Sequence, residues 1–174
     1  MQLPNREQAI RLLKENSCPP QVITHCIAVA DYALTVAHKL QDKDIKTDLP
    51  LIEAGALLHD IGRSKTHGVD HSLVGAQIIQ SLRFPQSIVN IIKRHVGAGI
   101  TPAEAQQLGW PKDDYIPQSI EEKIVCYADK RIDNGCVVPI ETEISRLQKA
   151  GLSDAAERVR RLHIEITNLI GENP

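Results

Sequence analysis

Apolar residues recur at intervals of three and four along nearly the whole chain, and no stretch alternates cleanly over the length of a strand. This periodicity restricts the fold more than any other feature, because the chain has helix stripes to bury and no sheet face to bury them on. The expected class is all-α. The breaks fall where helix-end chemistry puts them. Asn5 with Gln8 can cap a first helix to about Asn16, and the Cys18-Pro19-Pro20 break starts a longer one over QVITHCIAVADYALTVAHKL. After the polar linker QDKDIKTD, Pro50 opens a short apolar helix that ends at His59-Asp60-Ile61, where Gly62 suits the left-handed residue that stops a helix. Asp70 can cap a helix through about Leu82, and Pro85 begins another that carries IVNIIKRHV. Thr101-Pro102-Ala103-Glu104 is a capping box that predicts a short helix over AEAQQL, and Ser119 with Glu122 caps EEKIVCYADKRID. The last two helices, about Ile140 to Lys149 and Ser153 to Ile170, hold no clustered candidate ligands.

At 174 residues the simplest organisation is one domain. Such a chain buries roughly two thirds of the surface its unfolded form exposes, so folding does not depend on a metal. No apolar run approaches the about 20 residues of a membrane span, and the amino terminus MQLPNREQAIRLLKEN has charges where a secretory signal has an apolar core. A soluble, cytoplasmic protein is expected. Cys18, Cys26, Cys126 and Cys136 are too sparse for a disulfide scaffold and form no CxxC pair, so they read as reduced thiols. With 20 Lys and Arg against 22 Asp and Glu, the net charge of -2 argues against broad nucleic-acid binding. A small anionic ligand remains compatible, since a local field need not follow the net charge.

Three polar residues break the apolar stripes. His25 stands among Val22 and Val29, His95 among Ile91 and Ile92, and Asp129 among Val125, Cys126 and Ile132, all on inward helix faces. A lone histidine in such a place is more often a hydrogen-bonded core residue than a ligand. An ionised carboxylate, however, is costly to bury without a cation or several donors. When several helices each bring such a group inward, alongside His59-Asp60, one shared cation site accounts for all of them. His38 beside Lys39, and His163 beside Arg161 and Glu165, read as surface residues.

The order His25, His59-Asp60, Asp129, each near the middle or end of its own helix, resembles the HD-domain superfamily of metal-dependent phosphohydrolases. The HDIG stretch, then His71-Ser-Leu-Val-Gly-Ala, Arg94-His95-Val-Gly and Glu122-Lys-Ile-Val-Cys-Tyr-Ala-Asp129, is similar to small stand-alone HDIG proteins, both archaeal ones of unassigned role and bacterial YqeK-type hydrolases of diadenosine tetraphosphate. The resemblance covers about residues 20 to 135 and implies an HD-type helical bundle on which the helices of 140–170 pack. It implies that His25, His59, Asp60 and Asp129 hold one metal, that His71 and His95 hold a second, and that Asp60 bridges the two. Four imidazoles and two carboxylates suit iron, manganese, cobalt, nickel or zinc better than calcium or magnesium. Two divalent ions against two carboxylates leave the pocket at about +2, which suits phosphate esters, and a metal-activated water can then attack in line.

Basic groups follow the motif. Arg63 and Lys65 are the candidates for gripping phosphate, with Arg63 where many HDIG proteins have lysine, and His67 is either a general acid or a bystander. Arg94, Lys130 and Arg131 flank the implied ligands and read equally well as structural or solvated. Trp110 and Tyr115, in LGWPKDDYIP, pin a surface loop or wall a substrate. The leading expectation is a phosphohydrolase of a small nucleotide: a bis-nucleoside polyphosphate, a cyclic phosphodiester or a monophosphate. The alternatives are a mixed-valent di-iron oxygenase built on nearly the same ligands and a non-enzymatic sensor module. Dimerisation is left open.

Overall fold

Asn5 and Thr101 show how local chemistry sets the elements in the computed structural model, which describes residues 2–172. Each side-chain oxygen accepts the backbone N–H three residues on, and Gln8 or Glu104 returns the bond. The helices are α1 (Arg6–Glu15), α2 (Pro20–Gln41), α3 (Leu49–Leu58), α4 (His71–Ser81), α5 (Gln86–Arg94), α6 (Pro102–Gln107), α7 (Ile120–Lys130), α8 (Ile140–Lys149) and α9 (Ser153–Ile170), with 3-10 turns at Ile61–Ser64 and Val96–Ala98. The chain is an all-α bundle, as its periodicity predicts. Among the described residues no helix is long and apolar enough to cross a membrane.

The sequence reading misses two short strands. β1 (Ile132–Asp133) and β2 (Cys136–Val137) pair antiparallel around Asn134 (φ 48°) and Gly135 (φ 77°). Positive φ at both central residues is what a tight hairpin turn demands, and Asn-Gly is its usual sequence, so the signal is present in the chain although the strands are too short to alternate.

α3 decides where the site lies. Leu51, Ile52, Ala54, Gly55, Ala56, Leu57 and Leu58 are all buried, so beyond its first turn only the half-buried Glu53 meets solvent and the helix runs through the core between α2, α1, α5 and α7. It therefore delivers His59 and Asp60 into the interior. α4 packs on α5 and on the Ile61–Ser64 turn, α9 covers α7, and α8 packs on α9.

Two expected helix ends are corrected. Gly62 does not have positive φ; it is buried in the 3-10 turn, where a Cβ would lie 1.9 Å from the His71 carbonyl oxygen. Glycine is needed there for close backbone approach, not for a left-handed stop. Asp70 holds the capping position of α4, but its backbone is helical (φ -70°, ψ -6°) and its Oδ1 accepts the Thr66 hydroxyl at 3.0 Å instead of an α4 amide.

Candidate metal centre

Five helices bring the candidate ligands together. His25 comes from the first half of α2, His59 and Asp60 follow α3, His71 begins α4, His95 ends α5 and Asp129 stands near the end of α7. His59, Asp60, His71 and His95 are buried, while His25 and Asp129 are half-buried at the cavity side. Asp60, at φ -102° and ψ 14°, occupies the sparsely populated bridge region between the helix and the 3-10 turn.

Backbone carbonyls fix the tautomers of three imidazoles. His59 Nδ1 lies 2.7 Å from Ala56 O, His71 Nδ1 2.7 Å from Gly68 O and His95 Nδ1 2.7 Å from Ile92 O. A carbonyl oxygen can only accept, so each Nδ1 carries a proton and each ring turns its Nε2 toward the others. This is the arrangement that orients metal-binding histidines.

The inward atoms then have no adequate protein partners. His71 Nε2 and His95 Nε2 lie 3.0 Å apart. His59 Nε2 and Asp60 Oδ1 are fully buried without a hydrogen bond. Asp60 Oδ1 lies 3.0 Å from His71 Nε2 and 3.5 Å from His95 Nε2, while its Oδ2 is 3.7 Å from His59 Nε2. Asp129 Oδ1 lies 3.0 Å from His25 Nε2 and 3.4 Å from His59 Nε2. His25, His59 and Asp129 form one set with metal-ligand spacing, and His59, Asp60 and His95 form another. Burying such atoms unpaired is costly, and the mixed nitrogen and oxygen donors fit divalent transition metals. The residues present fit the group that the sequence implies.

The ionisation states of Asp60, Asp129 and His95 agree with that fit. Burial opposes charge on Asp60, but the surrounding His59, His71 and His95 outweigh it and hold the carboxyl far below the usual range. Burial also opposes charge on Asp129, and Lys130, His25 and His59 outweigh it in the same way. Burial, reinforced by neighbouring His59 and His71, pushes His95 down to about 4, so its ring is neutral at neutral pH. The field of the carboxylates shows at His59: burial would lower its pKa, yet Asp60, Cys26 and Asp129 raise it well above the ordinary value.

The basic residues separate. Arg63 Nε donates to Asp60 Oδ2 at 2.6 Å, and its half-buried side chain lines a cavity of about 1030 Å³ that also reaches His25, His71, His95 and Asp129. Lys65 and His67 are exposed and lie outside that lining. Lys130 donates to Asp129 Oδ2 at the cavity wall. Arg94 is structural: its Nη1 donates to both Glu122 oxygens at 3.0 and 2.9 Å, and its Nε to Asp114 O at 3.1 Å. Arg131 donates to Val138 O and to the Tyr127 hydroxyl at 2.6 and 2.8 Å. Trp110 packs edge-on against buried Tyr115, whose hydroxyl donates to Pro111 O, so these aromatics pin their loop and do not wall the cavity. His38 is exposed as expected, but His163 is half-buried with its Nδ1 3.1 Å from the Tyr127 hydroxyl. The cavity wall also takes residues from α6, α8 and α9 that sequence reasoning passes over, among them Glu104, Leu108, Arg146, Leu152 and Arg158. They belong to no ligand-type motif, and apart from the capping role of Glu104 nothing local in the chain marks them.

Comparison with known proteins follows the same residues. Positions 22–132 match the HD domain family. An uncharacterised protein of Methanocaldococcus jannaschii is 42% identical over 166 residues, 94% of this chain and 98% of that protein. A tRNA (cytidine(56)-2'-O)-methyltransferase of Picrophilus torridus is 38% identical over 171 residues, 98% of this chain but 49% of that protein, so the chain spans about half its length. Among solved structures, the HD domain of the Listeria monocytogenes phosphodiesterase PgpH in complex with cyclic-di-AMP superposes with a TM-score of 0.57 at 19% identity, covering 94% of this chain and 98% of that one.

Proposed function

This chain belongs to the HD domain family, and from that membership we propose a metal-dependent phosphohydrolase that cleaves an ester or anhydride of a small nucleotide-like substrate with metal-activated water. One observation carries the reading: the Nε2 atoms of buried His59, His71 and His95 converge on the Asp60 carboxylate and on one another, and among the described residues His59 Nε2 and Asp60 Oδ1 have no hydrogen-bond partner. His25, His59, Asp60 and Asp129 would hold one divalent ion, and His71 and His95, with Asp60, a second. Iron, manganese, cobalt, nickel or zinc suits these donors. When bound, such ions acidify a water and neutralise phosphate charge.

The chain's own groups supply orientation. The carbonyls of Ala56, Gly68 and Ile92 keep the three rings facing inward. Lys130 holds the Asp129 carboxylate and keeps it ionised. Arg63 spends Nε on Asp60, which leaves its terminal nitrogens for non-bridging phosphate oxygens at the cavity side. Lys65 and His67, exposed outside the lining, receive no step. A cationic side chain beside the paired clusters favours a phosphate substrate over the organic substrate of a di-iron oxygenase. The cavity, at about 1030 Å³, has the scale of a small-molecule site. The cyclic-di-AMP bound by the PgpH domain supports a nucleotide as the guest. Methyl transfer is not carried over from the Picrophilus protein, because this chain matches only about half of it.

The test is product release under anaerobic conditions from nucleotides, cyclic nucleotides and dinucleotides with Mn, Fe, Co, Ni or Mg, alongside Asp60→Ala and His95→Ala. Hydrolysis without oxygen, supported by a transition metal and lost in Asp60→Ala together with bound metal, is expected. Oxygen consumption with an organic substrate, or hydrolysis that survives Asp60→Ala, would overturn the proposal.

A further inference from the structure

Large apolar side chains are exposed at only a few described positions, and three of these, Val69 (38%), Leu108 (44%) and Leu152 (52%), line the cavity that holds the metal-site residues. A scattered exposed leucine needs no explanation, but apolar groups gathered around one polar cavity mark a surface that a ligand covers. Leu108 ends α6 and Leu152 precedes α9, whereas the candidate metal ligands come from α2, α4, α5, α7 and the residues following α3. The apolar surface at α6 and α9 therefore belongs to a different wall of the cavity from the ions.

The same wall carries a fixed positive group. Arg158 of α9 lines the cavity, its Nη2 donates to Glu104 Oε1 at 2.9 Å, and its Nε is buried with no partner among the described residues. Glu104 cannot swing away, because its Oε2 accepts the Thr101 amide and hydroxyl at 2.7 and 2.8 Å. The cap of α6 thus clamps a guanidinium whose Nη1 makes no hydrogen bond among the described residues, a donor suited to a phosphate oxygen. The cavity volume, about 1030 Å³, stands at the upper end of the roughly 300–1,000 Å³ of drug-sized pockets. A single phosphate at the metal centre leaves this wall unused.

Resting on the phosphohydrolase reading, we infer that α6 and α9 form a distal subsite for a second nucleotide unit, with Arg158 gripping its phosphate and Leu108 and Leu152 packing against its base. The probes are phosphorothioate-linked pApA and pUpU, which resist cleavage, with AMP and UMP as one-nucleotide counterparts, titrated calorimetrically into the full-length manganese-loaded protein. A dinucleotide should bind about tenfold or more tighter than its mononucleotide, since charge-assisted bonds of this kind contribute that much. Arg158→Gln and Leu152→Asp should bring the ratio close to one, and Arg158→Lys should retain part of it. Leu152→Asp is a safe change for the fold because aspartate is a favoured residue before a helix, and thermal melting of each variant reports folding. Equal affinities for one and two nucleotides in the wild type, or variants that weaken both by the same factor, would overturn the subsite. Hydrolysis is scored separately on pApA and pUpU with ordinary phosphodiester links: tight binding of the phosphorothioate probes with no product from the ordinary dinucleotides under any metal sinks the phosphohydrolase reading and leaves the subsite standing.

Discussion

Gly62→Ala will destabilise the protein, although the loss of backbone freedom in the unfolded chain would by itself stabilise it. An alanine Cβ would lie 1.9 Å from the His71 carbonyl oxygen and 2.6 Å from the Gly75 amide nitrogen. Both neighbours are backbone, so no rotamer change relieves the clash. Ordinary contact begins near about 3.5 Å, so the Ile61–Ser64 turn and the start of α4 must part by more than about 1 Å. Overpacking costs about 1–3 kcal/mol where side chains can yield, and a backbone collision belongs at the top of that range, about 3 kcal/mol. For a chain of this length that is a fall in melting temperature of about 6–12 °C. Gly109→Ala is the control: its φ is +69° and nothing lies within 4 Å of the new Cβ, so only the left-handed conformation is penalised, about 1 kcal/mol. Gly75→Ala should fall between them, with Ile92 Cγ2 at 2.9 Å and Gly62 N at 3.2 Å. Urea unfolding of chelator-treated protein measures all three, with a shifted midpoint and an unchanged slope. If Gly62→Ala melts within about 2 °C of wild type, or Gly109→Ala proves the more damaging, the close-approach argument is wrong.

Arg94→Met leaves Glu122 buried without its partner and should cost about 3–5 kcal/mol, much of it recovered in Arg94→Met/Glu122→Leu; equal instability of the single and double variants would show that the ion pair is not the cause. Burial, with the charge of Arg131, lowers the His163 pKa, and its neutral Nδ1 can accept the Tyr127 hydroxyl. The unfolded chain therefore binds the proton more readily, so this contribution is complete above about pH 6.5 and declines as pH falls toward the lowered value. Urea midpoints at pH 7.5 and 5.5 should differ more in wild type than in His163→Gln, and parallel profiles would count against the assignment. Chelation of metal-loaded protein should lower its melting temperature, by about 2.7 kcal/mol of linkage if free metal stood at about 100 times its Kd, while Asp60→Asn should melt alike with and without chelator.

The parts of the fold that could be read in the chain are those satisfied within a few residues. Asn5, Thr101 and Ser119 each accept an amide three positions on, so their caps do not depend on distant packing. The Asn134-Gly135 turn is equally local, and its signal stands in the chain although the sequence reading misses it. Asp70 shows the limit, because Thr66 competes for its carboxylate once the preceding loop folds back. The inward placement of His25, His95 and Asp129 could be anticipated because each interrupts an apolar stripe, and a stripe reports which way a helix faces inward, whereas His71 is implied only by the family resemblance.

What an inward face cannot report is how near the next element lies, and the residues after Asp60 turn on that distance. Arg63, Lys65 and His67 are nearly adjacent in the chain and chemically similar in their attraction to phosphate. Only Arg63 reaches Asp60 and the cavity, because the chain first makes a 3-10 turn whose Gly62 is pressed against the His71 carbonyl. That contact needs glycine on one side and the first turn of α4 on the other, and the same first turn carries His71 into the metal centre. Close packing at Gly62 thus sets two things at once, the position of an implied second-metal ligand and the identity of the basic residue beside the first carboxylate. The distal wall obeys the same logic. Arg158 becomes a fixed cationic group only when Glu104, itself clamped by Thr101, meets it across 54 residues of chain. Local rules therefore point three of the candidate ligands inward, whereas the features that would select a substrate arise from contacts between elements.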